Sequence, residues 1–264
     1  MGQYYRAVNV DKREIMEFDG AKLMEFAWAY NRSMQAFVAL MNGAWQGDRV
    51  YIVGDYADLD ERNFHEGDDA WQHVLEAAER ELGFHGKTFT DKDGRTYPDY
   101  LYGFAERNFK DVTEDAMKLV EDGAQLRYIL NAELGVYIDL EHCPADSIFY
   151  YAEDDKVYVY RVHPLAIILA MGNGRGGGDF RQGVCKPFVD LHADRRTVKR
   201  VTSHPFGAWC DTSSAIRFAK AGEEAKLEGL QEWDPYFAEN ETPTPWQEIE
   251  AKVAEALAKG REKK

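Results

Sequence analysis

Tyr4-Tyr5-Arg6-Ala7-Val8-Asn9-Val10, a polar turn at Asp11-Lys12-Arg13, and Glu14-Ile15-Met16-Glu17-Phe18 alternate as the two strands of a β-hairpin do. The pattern returns at Ile129-Leu130-Asn131-Ala132-Glu133 and Tyr137-Ile138-Asp139-Leu140. Each hairpin is followed by an apolar segment ending in Asn-Gly, Met34 to Gly43 in the first case and Leu165 to Gly174 in the second. Asp48-Arg49 then leads into strand-like residues in the first stretch, and Asp194-Arg195 does so in the second. The fold class this predicts is α+β: two related β-hairpin–helix–strand units, a pseudo-two-fold tandem repeat in which each apolar face needs the other. The alternative is two similar supersecondary units that share only composition.

Working outward, residues 1–60 form the first α+β unit and 61–124 a mostly helical insertion. Residues 125–204 form the second unit, and 205–264 a C-terminal helical extension. Leu23, Phe26, Ala27 and Tyr30, then Met34, Phe37, Val38 and Met41, recur at helical spacing up to Asn42-Gly43. In the insertion, a helix runs from Asp69 to Gly83 and a hairpin turns at Asp93-Gly94. Further helix reaches Gly123, with Thr113 as its N-cap. Residues 147–151 and 156–161 pair as another hairpin, and 186–203 return to strand character. Thr244-Pro245-Trp246-Gln247 is a capping box opening a last helix through Ile249, Val253 and Leu257.

The chain has 264 residues, 45% of them hydrophobic, which is enough to bury a sizeable core and excludes a disordered protein. Thirty-two basic side chains stand against 47 acidic ones, and a net charge of −15 is repelled by phosphate backbones. No direct nucleic-acid binding is expected. Cys143, Cys185 and Cys210 are odd in number and widely spaced, which suits a reduced cytoplasmic setting rather than a disulfide framework. The opening residues show no apolar signal segment, and the longest apolar stretch, Pro164 to Met171, is too short to span a bilayer. No membrane association is expected.

One loop stands apart: Gly172-Asn173-Gly174-Arg175-Gly176-Gly177-Gly178-Asp179. Ordering five glycines in eight positions costs much chain entropy. Such a loop is useful where backbone must approach a ligand closely or turn successive N–H groups toward an anion. Arg175 would clamp a phosphate or carboxylate, and Asp179 would take a ribose hydroxyl or cap the loop. Trp45, Asp48 and Arg49, or Asp194 and Arg195, would complete the site in the cleft between units. The spacing satisfies G-x-G-x-x-G, but strand-like residues and Pro187 follow where a dinucleotide fold opens a helix. The competing reading is a surface loop or a tight crossing between repeats.

Other constellations carry less. Asp48, Asp55, Asp58 and Asp60 are oxygen ligands of the kind that hold a hard cation, or simply an exposed acidic turn. His142-Cys143 and His192 with Cys185 are zinc-type donors whose spacing does not argue for a site. His163 precedes the apolar segment that leads to the glycine loop. The runs Phe149-Tyr150-Tyr151 and Tyr158-Val159-Tyr160 fall on one hairpin, as a stacking surface or as core. No residue is assigned a catalytic role, and no metal or cofactor is indicated.

Met1-Gly2-Gln3-Tyr4-Tyr5, Trp45-Gln46-Gly47-Asp48-Arg49-Val50, Gly54-Asp55-Tyr56-Ala57-Asp58 and the glycine loop together resemble a family of uncharacterised bacterial and phage-encoded proteins. The resemblance covers most of residues 1–60 and 126–200. In similar proteins a glycine loop also precedes the Trp-x-Gly-Asp-Arg segment, where this chain has Asn42-Gly43-Ala44. The resemblance implies a phage or prophage context and no particular activity. The function expected is binding of a small anionic ligand, phosphorylated or nucleotide-like, with sequestration of a host signal as its use. One alternative is an acidic inhibitor or nucleic-acid mimic that docks a host protein. Another is an enzyme acting on a phosphorylated substrate, with Asp179 or His163 in acid–base work.

Overall fold

The computed structural model describes residues 4–29, 31–57, 69–142, 145–151, 156–161, 163–172, 185–192, 195–201 and 207–233. The first hairpin forms as the alternation predicts: β1 (Tyr4–Asn9) pairs antiparallel with β2 (Glu14–Lys22). A short helix α1 (Leu23–Phe26) stacks Phe26 on Phe18 at 3.4 Å between ring centroids. The predicted continuous helix is interrupted here. Asn31 restarts it as α2 (Arg32–Asn42), its side chain accepting from Ser33 N at 2.8 Å and Met34 N at 3.4 Å. β3 (Val50–Gly54) then returns beside β1.

The described part of residues 61–124 begins at Asp69. It comprises α3 (Asp69–Glu81), a small hairpin of β4 (Thr88–Thr90) and β5 (Thr96–Pro98), α4 (Leu101–Asn108), β6 (Lys110–Asp111), α5 (Thr113–Ala116) and α6 (Val120–Ala124). The cap of α5 differs from expectation. Asp111 Oδ1 accepts from Thr113 N at 2.8 Å, and the Thr113 hydroxyl instead accepts from Glu17 N at 2.8 Å. Thr113 ties the insertion to β2 rather than capping its own helix.

The second hairpin is β7 (Leu126–Asn131) with β8 (Val136–Asp139). β9 (Ala145–Tyr151) and β10 (Lys156–Arg161) follow, and Pro164 precedes the short helix α7 (Leu165–Ile168) and β11 (Ala170–Met171). β12 (Cys185–His192) and β13 (Arg195–Val201) pair with each other, and β13 pairs with β9. Among the described residues after 206 the chain supplies β14 (Ile216–Lys220) and β15 (Gln231–Glu232). The capping box and helix at 244–260 lie outside the described residues.

Among the described residues three sheets result, besides the small hairpin: β11-β3-β1-β2-β6, β14-β7-β8-β15 and β10-β9-β13-β12. One apolar cluster joins Ala7, Met16 and Ile52 of the first sheet, the α2 and α7 side chains, and Ile129, Ile138, Ile216 and Phe218 of the second. The two helices are sandwiched between two sheets, which is why α2 buries nearly every residue from Ser33 to Met41. The opposite face of the first sheet, with Val8, Tyr51, Val53 and Met171, is covered by Trp71, Leu75, Leu101 and Ala105 of α3 and α4.

The two hairpins share their register. Val8 faces Ile15 and Leu130 faces Tyr137; Asn9 faces Glu14 and Val50, and Asn131 faces Val136 and Ile216. Both asparagines are buried and do the same job. Asn9 accepts from Lys12 N (2.9 Å) and donates to Asp48 Oδ2 (2.9 Å). Asn131 accepts from Leu134 N (3.2 Å) and donates to Thr212 Oγ1 (2.8 Å). The strand that stands beside β7 as β3 stands beside β1 is therefore β14. The strand opened by Arg195, matched to Arg49 by sequence, joins β9 and β12 instead.

Candidate functional site

β11 runs parallel to β3, with Ala170 opposite Ile52 and Met171 opposite Val53. The chain thus leaves both strands at one sheet edge: Gly54-Asp55-Tyr56-Ala57 after β3, and Gly172 after β11. Carboxyl ends of adjacent parallel strands are where open α/β sheets hold ligands, because departing loops part there. Asp55 closes the edge on β1, accepting from Tyr4 N at 3.1 Å through Oδ1 and donating its N–H to Tyr4 O at 2.9 Å. α3 begins at this edge too, and its Trp71 packs in one cluster with Met171. The two strings that stand out in the sequence, Gly-Asp-Tyr-Ala-Asp and the glycine loop, therefore depart side by side. Asn173, Gly174, Arg175, Gly176, Gly177, Gly178 and Asp179 lie outside the described residues.

The first unit's predicted contributors stand elsewhere. Trp45, Asp48 and Arg49 precede β3, and five extended residues place Arg49 about 16 Å from Gly54. All three have structural work. Trp45 is fully buried, its indole N–H donating to Glu14 Oε2 at 2.7 Å. Asp48 holds Asn9 and Lys12 Nζ (3.2 Å). Arg49 grips Asp11 through Nε (2.9 Å) and Glu81 through Nη1 and Nη2 (2.6 and 2.8 Å), joining the β1–β2 turn to the end of α3. The bonds to Glu81 and Asp11 raise the guanidinium pKa further above its ordinary value. Asp194 lies outside the described residues, and Arg195 is a strand position opposite His192 and Tyr151.

β3 also divides the acidic group, since Asp48 and Asp55 flank it at opposite ends; Asp58 and Asp60 lie outside the described residues. His142 Nδ1 donates to Glu232 Oε1, 2.5 Å away, and Cys143 lies outside the described residues. Among the described residues no three His, Cys, Asp or Glu side chains are grouped to hold a metal ion. No helix among them is long and apolar enough to cross a membrane.

No protein family, curated protein sequence or solved structure matches this chain. Function must therefore be read from the edge itself and from polar groups buried without partners.

Sequence reasoning missed two such groups on α3. The indole N–H of Trp71, 0% exposed, has no hydrogen-bond partner among the described residues. The carboxyl of Glu79, on the inner side of α3, is 2% exposed; its Oε2 lies 3.2 Å from His85 Nδ1, while Oε1 has no hydrogen-bond partner among the described residues. Neither is visible in sequence, because a Trp and a Glu at helical spacing look like core and surface.

Burial pushes the Glu79 carboxyl up to about 7, with His85 opposing the shift. An unfolded glutamate titrates near 4.5, so native protein holds a proton that unfolded chain has released. This contribution to stability is full below pH 4.5 and lost as pH rises to 7. Glu79→Gln, which keeps an acceptor for His85, is expected to gain about 2 kcal/mol over wild type on going from pH 4.5 to pH 8. Urea unfolding at the two pH values measures it; equal differences at both would show that Glu79 ionises freely.

Proposed function

We propose that the chain is a tandem pair of β-hairpin–helix–strand units, and that it binds a small phosphorylated or nucleotide-like ligand where β3 and β11 end. The parallel pairing of β11 with β3 carries the reading, because it brings the start of the glycine loop to a strand-end edge. The glycine loop would supply backbone N–H groups and Arg175 a bidentate clamp, with Asp179 toward a sugar hydroxyl. The shared hairpin register and the matched roles of Asn9 and Asn131 support the pairing of units. In the phage or prophage setting that the sequence resemblance implies, such a protein would act by sequestering a host signal rather than by turning it over.

A thermal-shift series with AMP, pyrophosphate, cyclic mononucleotides and NAD, each with and without Mg²⁺, tests this. At a hundredfold excess over Kd a ligand adds about 2.7 kcal/mol, a rise of several degrees for a chain of this size. Arg175→Ala is expected to remove the rise. No shift with any of these compounds would overturn the small-ligand reading and favour a macromolecular partner for the acidic surface.

A further inference from the structure

We propose that residues Glu224–Trp233 form a strap on the second sheet with His142 as its catch, the strap opening more readily once His142 loses its proton. The strap is a 3₁₀ turn (Glu224–Leu227) followed by β15. Its Leu227 and Leu230 pack against Tyr128, Leu130 and Ala219 of the sheet. Its last residue, Trp233, stacks on the buried Trp209 with 5.4 Å between ring centroids. An open strap therefore bares Tyr128, Leu130 and Trp209.

Little main-chain bonding holds it. β15 has two residues, both exposed, paired in parallel with Val136 and Tyr137 of β8. Gln231 N donates to Gly135 O at 2.9 Å, and Trp233 N donates to Tyr137 O at 2.7 Å. So short a parallel pairing is a weak grip, and such segments open locally well below the global unfolding free energy. Polar side chains fasten the two ends. Glu224 Oε1 accepts from the Tyr128 hydroxyl at 3.0 Å. Glu232 accepts His142 Nδ1–H on Oε1 at 2.5 Å and the Tyr137 hydroxyl on Oε2 at 3.4 Å.

Of these types, a histidine is the one that changes charge near neutrality. Glu232 faces His142 from β15, and Asp139 Oδ2 lies 3.8 Å from its Nε2 at the end of β8. Arg127 of β7 holds Asp139 at 2.8 Å and Glu141 at 3.0 Å. The bond to Glu232 lifts the imidazolium above its ordinary 6.5, with Asp139 adding to the lift and burial and Arg127 opposing it. Burial, then Glu232, pushes the Tyr137 hydroxyl above its ordinary 10, so it keeps its proton throughout this range. A raised histidine contributes fully below pH 6.5 and loses its contribution as pH climbs through the raised value. Neutral imidazole still donates to Glu232, but without charge assistance. The strap is thus tight in mild acid and loose in mild alkali.

Amide hydrogen exchange followed by NMR on the full chain, from pH 6.0 to 8.5, tests this. Each rate is divided by its intrinsic rate at that pH and compared with amides of the β1–β3 ladder. Protection at Gln231 and Trp233 is expected to fall about threefold across the range, the scale of one exposed ion pair. Its midpoint should follow the His142 ring titration. His142 is 62% exposed, so His142→Gln leaves the core intact and is expected to hold protection at the low value at every pH. Glu232→Gln keeps an acceptor and should return the His142 titration toward 6.5. Constant protection in the wild type, or the same fall in His142→Gln, would overturn the proposal.

Discussion

Gly123→Ala is expected to lower the unfolding free energy by about 3 kcal/mol, the upper end of overpacking costs. On an isolated helix the same change would add stability, since alanine is favoured over glycine by about 1 kcal/mol. The sign reverses because α6 crosses α2 backbone to backbone at this residue. A β-carbon would overlap the Gln35 carbonyl oxygen and would stand 2.8 Å from Gln35 C and 3.2 Å from Ala39 N. Those are main-chain atoms and cannot rotate away. α2 cannot retreat either, because Met34, Ala36, Phe37 and Leu40 are packed into the cluster shared by two sheets. At about 2–4 °C per kcal/mol, the melting temperature should fall by roughly 10 °C. An unchanged midpoint in urea and heat would show that α6 does not dock this closely on α2.

The elements that were legible are those whose period survives in one short window. Strands β1, β2, β7 and β8 each carry their own alternation, so both hairpins could be placed within a residue or two. The order of strands in a sheet has no such local record. Ile216-Arg217-Phe218-Ala219 reads as a short apolar run anywhere in the chain, yet it takes the place beside β7. Asp194-Arg195 repeats a dipeptide of the first unit, yet its strand bonds to β9. Long-range pairing decides such positions, and a dipeptide match does not encode it.

For the site, the sequence singled out loops, while their common exit had to come from the parallel β3–β11 pair. Trp45, Asp48 and Arg49 stand out in the sequence for their chemistry. Asp48 and Arg49 have that chemistry satisfied within the fold by Asn9, Lys12, Asp11 and Glu81. The buried donor at Trp71 was illegible because its significance is a missing partner, which only packing reveals.

His163 should give a large pH effect. It is 5% exposed and precedes Pro164 at the entry to α7. Its main-chain N–H donates to Ala27 O at 2.6 Å, and its Nδ1 accepts from Leu165 N at 3.3 Å. A protonated imidazole would turn that acceptor into a donor facing an N–H, in a site buried from solvent. Burial pushes the imidazole down to about 3. Unfolded histidine titrates near 6.5, so as pH falls below 6.5 the unfolded chain takes up a proton that the native protein refuses. The stabilising contribution is full above pH 6.5 and shrinks toward pH 3, by about 2–3 kcal/mol already at pH 4.5. His163→Asn keeps an acceptor for Leu165 N but cannot titrate, and is expected to abolish this loss. Glu79 acts with the opposite slope, losing stability as pH rises from 4.5 to 7. Between pH 4.5 and 6.5 the two contributions oppose each other in the wild type and flatten its stability curve. Urea midpoints across that range should therefore fall with rising pH in His163→Asn and climb with rising pH in Glu79→Gln. Parallel curves for the two variants would show that neither buried group retains its shifted ionisation, and would leave acid unfolding to the exposed carboxylates.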